Sequence, residues 1–448
     1  MSIPLILLSL LEAAAVAVAV YVAIAFDAFG SVAEAAPLSV PAFAAVSLMV
    51  LMSALGLYQL RLRTTFTGIV VRTAIAFAAA LPLIAILYLV IPSEPPSMQA
   101  VAASAVSAFI VVSGLHVVFF TAADAGLMKR KIIVLGGGQG AQALASLRRR
   151  ADKRGFEVVG HVPLGGDTGP GPALDAERGL AEIARQAGAE EIVVSLGDRR
   201  ERLPLDALMD CRYEGFRVIE MIDFIEREAG KVRIDLLRPG WMLFNASDTG
   251  RIGDLAKRAF DVTAALVLLM VGAPFMLATT IAIKLEDGWR APVLYRQHRV
   301  GKGGAVFELV KFRSMRVDAE ADGKPRFAVA DDARVTRVGR IIRKARVDEL
   351  PQLLNVLRGE MSLVGPRPER PQFVAKLERE IPFYRERHRV KPGITGWAQL
   401  LYPYGASRED MIEKLQYDLY YLKNRSLLLD LIILLQTVEV VLFGKGAR

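Results

Sequence analysis

The sequence predicts a membrane α protein joined to two α/β domains, and three observations predict it. Residues 3–26, 38–60, 67–92 and 98–121 are four apolar stretches of membrane-spanning length. A short β run at 131–135 then meets a glycine-rich turn and a helix. A fifth apolar stretch, carrying Pro274, opens a basic region that converges on two adjacent carboxylates, Asp348 and Glu349. The chain of 448 residues thereby divides into a four-helix transmembrane region at 1–125, an α/β domain at 129–246 and a second α/β domain at 251–448.

The four stretches carry almost no charge; Glu12 and Arg72 are the exceptions. Loop charges set the orientation. The loop with Asp27 and Glu34 and the turn with Glu94 lack Lys and Arg, whereas Arg61, Arg63 and Lys129-Arg130-Lys131 make the alternate connections basic. The positive-inside rule places the N-terminus and everything after residue 125 in the cytoplasm. Residues 33–36 resemble a signal-peptide cleavage site, but the basic n-region is missing and three further spans follow.

Lys131 to Ala141 reads as the first β-α step of a Rossmann-like fold, with Gly136, Gly137 and Gly138 in the turn. Further strands are expected from Glu157, Glu191 and Phe216. A dinucleotide binder needs an acid at the end of the second strand to hold a ribose. Here that strand runs into Pro163-Leu-Gly-Gly, and Asp167 comes only later. A structural or regulatory α/β domain is therefore the expectation, over a retained NAD site.

Charge is distributed unevenly. Formal net charge is +9, and residues 251–400 alone hold 28 basic and 17 acidic residues. The basic excess is local and calls for an anionic partner there. One cysteine, Cys211, and four scattered histidines support neither a disulfide framework nor a zinc site. The stretch at 259–283 is long enough to span, yet both flanks are basic: Lys257 and Arg258 before it, Lys284 and Arg290 after. Pro274 removes one backbone hydrogen bond and clashes with the carbonyl of Met270. A helix broken there enters and leaves the bilayer by one face, whereas a straight span would carry the basic region across the membrane.

Leu350, Leu353, Leu354 and Leu357 recur at helical spacing, so 347–358 reads as a short amphipathic helix. On it, adjacent Asp348 and Glu349 point in different directions, so one can attack while the other holds a cation. Spacing alone leaves open which does which. Arg334, Arg337, Arg340, Arg343 and Arg346 recur every three residues and lead into the pair. Gly365-Pro-Arg-Pro fixes Arg367 on a rigid turn. Phe307 to Met315 alternates as a strand and presents Lys311 and Arg313 on one face. Nearby arginines keep carboxylates ionised and bind phosphate bidentately. Asp318, Glu320, Asp322, Asp331 and Asp332 read as solvated loop. Residues 408–422 form a helix whose Tyr417, Tyr420 and Tyr421 suit a membrane interface. The tail at 427–443 is a surface or packing helix, or a core helix.

These residues resemble the bacterial sugar transferases, the monotopic polyprenyl-phosphate glycosylphosphotransferases. The motifs are Lys257-Arg258-Ala-Phe-Asp261, Lys311-Phe-Arg-Ser-Met315, Asp348-Glu349-Leu-Pro-Gln-Leu-Leu-Asn-Val-Leu-Arg358-Gly, Ser362-Leu-Val-Gly-Pro-Arg367-Pro-Glu369 and Lys391-Pro-Gly-Ile-Thr-Gly-Trp397-Ala-Gln. They fall in order across 250–448. The front half resembles the large subclass, and the C-terminal half most resembles the exopolysaccharide branch associated with exosortase systems. The resemblance implies transfer of a sugar 1-phosphate from a UDP-sugar to undecaprenyl phosphate at the bacterial inner membrane, with Mg²⁺ and as a homodimer. It implies Asp348 as nucleophile, Glu349 as its partner in holding Mg²⁺, Lys311, Arg343 and Arg367 as phosphate-binding residues, and Pro274 as the break of the re-entrant helix. In the family a serine often precedes that proline; here it is Ala273.

Two rivals differ in kind. A membrane-bound, NAD-dependent nucleotide-sugar dehydratase needs a Tyr-x-x-x-Lys pair, and none of the 11 tyrosines has Lys four residues later. A non-catalytic export scaffold has no use for a compact acid–arginine cluster. Nucleic acid is not an expected partner, because the basic residues converge on two carboxylates that repel a phosphate backbone.

Overall fold

The computed structural model describes residues 3–28, 38–58, 66–90, 97–124, 129–147, 150–153, 155–164, 168–174, 179–195, 203–237, 250–317, 332, 334–402, 405 and 407–443. Glu34, Arg61, Arg63, Glu94 and Asp167, on which loop charges and a ribose contact were weighed, lie outside these residues, as do Asp318, Glu320, Asp322 and Asp331. The chain forms two compact units, Met1–Ala229 and Gly230–Arg448.

The first unit opens with four apolar helices, α1 (Ile3–Ala28), α2 (Ser39–Ala54), α3 (Phe66–Val90) and α4 (Met98–Asp124). α1, α3 and α4 are long and apolar enough to cross a membrane. The second is shorter than the expected 38–60. It has 16 residues, about 24 Å of helix against a hydrocarbon core of about 30 Å. Gly56 adopts φ 73° directly after it, a left-handed conformation that ends the helical path. The two charges that stood out in the sequence, Glu12 and Arg72, are both buried. The Tyr58 hydroxyl donates to Glu12 Oε2 at 2.7 Å, and Glu12 also pairs with His116. This polar cluster ties α1 to α4 and to the turn after α2, as buried polar groups do between apolar helices.

A parallel sheet follows, with strand order β2-β1-β3-β4: β1 (Arg130–Leu135), β2 (Phe156–Val162), β3 (Glu191–Val194) and β4 (Arg217–Glu220). α5 (Gly138–Ala145), α6 (Leu180–Gln186) and α7 (Leu205–Tyr213) lie between the strands, and α8 (Met221–Ala229) follows β4. All four strands stand where the sequence placed them. Ile133, Leu135, Ile192 and Cys211 share one buried core, so the single cysteine is a core side chain.

The second unit is organised on α9 (Gly250–Asp287), a 38-residue helix. The expected break at Pro274 is not a gap in the helix, which continues through the proline. The helix is held by the rest of the unit towards each of its ends. On one side Arg258 donates to the carbonyls of Val356 and Leu357 at 2.6 and 2.7 Å. Asp261 accepts from the Leu363 amide at 3.2 Å, and Lys257 pairs with Asp261 and Asp430. On the other side Asp287 pairs with Arg313 at 2.6 Å, and Ile283 packs on Phe312 and Ile342. The buried positions Asp261, Ala265, Gly272, Thr279 and Ile283 form one stripe, while Leu266, Met270, Phe275 and Leu277 remain exposed.

An antiparallel hairpin comes next, β5 (Leu294–Val300) and β6 (Val306–Phe312), pairing Tyr295 with Lys311. Then follow α10 (Arg337–Lys344), a 3₁₀ turn at Val347–Gln352, α11 (Leu353–Arg358), β7 (Ser362–Val364), α12 (Pro371–Glu380), β8 (Gly393–Thr395), α13 (Trp397–Leu401), α14 (Arg408–Asn424) and α15 (Leu427–Phe443). β7 and β8 pair in parallel. Tyr417 and Tyr421 are not at an interface but buried in the core. Tyr421 has a polar partner there, donating to Asp430 at 2.8 Å, and Tyr420 stacks on Trp397. α15 turns Asp430 and Gln436 inward: both are buried beside Ile432 and Ile433, which makes it a packing helix.

Asn355 joins α11 to the hairpin. It is fully buried, accepts from the Val310 amide at 3.1 Å, and donates to the Glu308 carbonyl and to Glu360, each at 2.7 Å. Asn355→Ala strands those groups away from water. It is expected to cost about 3 kcal/mol, read as a lowered thermal midpoint; an unchanged midpoint would show that water replaces the amide.

Candidate active site

The local chain explains how the carboxylates are presented. α10 is capped by Ala345, and Arg346 takes φ 57°, a left-handed residue that turns the chain sharply. Asp348 and Glu349 therefore sit in the 3₁₀ turn rather than on the continuous helix expected over 347–358. In that tighter turn their side chains diverge. Asp348 is buried at 7% exposure. Glu349 faces two arginines, with Arg346 Nη1 at 3.6 Å and Arg367 Nη1 at 3.8 Å from its Oε1.

Burial pushes the Asp348 carboxyl up to about 6, and the charge of Glu349 adds to the effect; Lys311, Arg346 and Arg343 pull the other way. Lys311 is pushed down to about 8, mainly by burial, with Arg367 and Arg299 adding repulsion and Glu349 and Asp348 opposing it. The structure thus brings Lys311, Arg343 and Arg367 to the same two carboxylates. On the proline-bearing helix, Gly272 approaches this turn: a Cβ there would sit 3.4 Å from Leu350.

Arg313 behaves differently. β6 ends at Phe312, and Arg313 donates to Asp287 and to the Pro292 carbonyl. It closes the joint between α9 and the hairpin. Other residues enter that the sequence did not single out. Gln399 Oε1 accepts from Arg367 Nη1 at 3.1 Å. Arg387, buried and paired with Asp418 at 2.8 Å, donates to the Arg367 carbonyl. Arg299 bonds Gln297 and the Pro368 carbonyl, and burial lowers it to about 10. The pairing of Tyr295 with Lys311 puts Gln297 and Arg299 on the strand face shared with Lys311, and period-two alternation is the signal in the sequence that could have found them.

For a divalent cation, the donors are two hard carboxylates. No group of three or more His, Cys, Asp or Glu gathers among the described residues. Mg²⁺ usually takes one or two carboxylates and completes its shell with water and substrate phosphate, so Asp348 and Glu349 fit that ion and no all-protein cage.

A buried carboxylate of raised pKa, a second carboxylate beside it and a ring of cations, set beside a long apolar helix, define a membrane-associated α/β protein built to receive an anion. Residues 252–444 match the bacterial sugar transferase family. The chain is 45% identical over 241 residues to a UDP-N-acetylgalactosamine-undecaprenyl-phosphate N-acetylgalactosaminephosphotransferase of Aeromonas hydrophila, covering 54% of this chain and 56% of that protein. It is 36% identical over 272 residues to a UDP-glucose:undecaprenyl-phosphate glucose-1-phosphate transferase of Xanthomonas campestris, covering 59% and 53%. To a protein of the same description from Escherichia coli it is 33% identical over 330 residues, covering 72% and 70%. The chain belongs to the bacterial sugar transferase family. It spans about half the length of the first two relatives.

Proposed function

We propose that this protein transfers a sugar 1-phosphate from a UDP-sugar to undecaprenyl phosphate, releasing UMP, as the first step of exopolysaccharide or other surface glycan assembly. The observation that carries the reading is the convergence of Lys311, Arg343, Arg346 and Arg367 on Asp348 and Glu349. One Asp348 oxygen attacks the phosphorus that bears the sugar. The phosphoanhydride bond to UMP breaks, and an aspartyl-phosphosugar forms. A phosphate oxygen of the lipid then attacks the same phosphorus and frees Asp348. One phosphoanhydride replaces another, so the exchange is near isoenergetic. Lys311, Arg343 and Arg367 hold the diphosphate; Asp348 and Glu349 would hold Mg²⁺, which would supply charge neutralisation when bound.

The reading extends to the membrane. A crossing helix needs about 20 residues in hydrocarbon. α9 is anchored on its own domain at Lys257–Asp261, approached at Gly272 and anchored again at Ile283–Asp287. The approach at Gly272 divides the stretch between the two anchors into halves of about 10 residues, each too short to cross. We therefore read α9 as a re-entrant element bent at Pro274, with the catalytic domain on the cytoplasmic face of the inner membrane. The β2-β1-β3-β4 sheet is read as a Rossmann-like domain, and the family resemblance supports a homodimer.

UMP release tests this directly. The protein in nanodiscs, given undecaprenyl phosphate and a panel including UDP-glucose and UDP-N-acetylgalactosamine, is expected to release UMP with at least one donor and to stop on EDTA addition. UMP release unaffected by EDTA would remove Mg²⁺ from the proposal. NADH absorbance changes without UMP release would replace the proposal with dehydratase chemistry.

A further inference from the structure

We infer that the outer face of α10, with the end of α9, docks on the headgroups of anionic phospholipids and so sets the height of Asp348 at the membrane. The inference rests on reading α9 as lying in the bilayer. The inner face of α10 is fixed. Thr336 Oγ1 accepts from the Gly339 amide at 2.9 Å, and Glu286 accepts from the amides of Arg337 and Val338 at 2.8 and 3.0 Å. Gly339 is pressed so closely that a Cβ would fall 2.0 Å from the Ser314 carbonyl oxygen, and Ile342 packs on Ile283 and Phe312.

With that face held down, Arg337, Arg340, Ile341 and Lys344 face outward, all exposed. Ile341 is 69% exposed, an unusual fraction for isoleucine on a short helix. Among the described residues, Arg337, Arg340 and Lys344 have no carboxylate partner. The two nearby acids are already engaged: Glu286 caps α10, and Asp287 pairs with Arg313. Leu285 and Trp289 flank them at 71% and 74% exposure, and Arg290 is exposed beside them. Leu277, Ile281 and Leu285 recur every four residues along α9 and lead towards Trp289.

This composition is that of a bilayer interface. A tryptophan and aliphatic side chains enter the headgroup boundary while unpaired cations meet lipid phosphate. Charge complementarity selects anionic over zwitterionic lipid. Only Ala345 and Arg346 separate α10 from the 3₁₀ turn of Asp348, so the docked face and the carboxylates move together.

The experiment uses the full chain in nanodiscs of phosphatidylcholine alone or with phosphatidylglycerol. A spin label on Ile341→Cys reports accessibility to water-soluble and lipid-soluble relaxants without any turnover; Cys211, fully buried, does not compete for the label. The label is expected to leave water when phosphatidylglycerol is present. Adding Arg337→Gln, Arg340→Gln and Lys344→Gln is expected to return it to water. In parallel, phosphatidylglycerol is expected to raise UMP release by about 10-fold in the wild type and less than 2-fold in the triple variant, with equal rates in phosphatidylcholine. A label that stays in water in both lipids overturns the proposal. So does one equally protected in both, which would mark a second copy or a protein partner on this face. Lipid-dependent protection without UMP release in any disc would support the docking and sink only the transferase reading.

Discussion

Asp348→Asn is expected to abolish sugar-phosphate transfer, by at least about 10⁴-fold, while making the protein more stable at neutral pH. The amide keeps the shape of the carboxylate but cannot attack phosphorus. The stability gain follows from the raised pKa. Asp348 titrates near 6 in the folded protein, against 3.8 for an ordinary side chain. Between those values the folded state holds a proton that the unfolded chain has released, so wild-type stability falls as pH rises from about 4 through 6. At pH 7 the whole penalty applies, roughly 3 kcal/mol. Asparagine escapes it. Thermal midpoints in EDTA should therefore coincide for the two proteins near pH 4 and separate above pH 6, with the variant higher. Full activity in the variant would remove Asp348 as nucleophile and leave Glu349 to be tested. A variant less stable at pH 7 would show that the carboxylate is held by its cations more strongly than burial opposes it.

Lys311→Met is expected to lower kcat/KM by about 10²–10³-fold at pH 7, and to change the shape of the pH profile. The wild-type rate should rise as Asp348 ionises near pH 6 and fall as Lys311 loses its proton near 8, the value to which burial and the neighbouring arginines depress it. The two limbs report the free protein's acid and base. Methionine has no proton to lose, so the variant keeps the rising limb and loses the falling one. Lys311→Arg should restore part of the rate and carry the falling limb beyond the accessible range. A falling limb that persists in Lys311→Met would assign it to another group and leave Lys311 a packing role.

Much of this site was legible because it lies in short runs. The acid pair, its preceding arginines and Gly365-Pro-Arg-Pro each fall within a dozen residues, where spacing and backbone restriction speak directly. The four parallel strands were legible for the same reason: each is a short apolar run bounded by turn residues. What misled was any residue whose role depends on a partner distant in the chain. Arg313 looked like a companion to Lys311 on strand alternation, but β6 ends one residue earlier and Asp287 claims it. Tyr417 and Tyr421 looked interfacial by type, yet their neighbours close over them and Asp430 receives the Tyr421 hydroxyl. Gln399 and Arg387 hold Arg367 from 32 and 20 residues away, a relation no local pattern encodes.

At Asp348-Glu349 the division is sharp. The sequence by itself determined that two carboxylates stand side by side, that a basic excess surrounds them and that apolar helices hold the chain at a membrane, because composition and near-neighbour spacing carry those properties. Only the tertiary structure decided that Asp348 is buried and Glu349 is shared between Arg346 and Arg367. Only it decided that Pro274 bears on a continuous helix, and that Gly272 brings that helix against the turn. Protonation and reach depend on what is desolvated and what lies within a few ångströms, and the folded chain sets both.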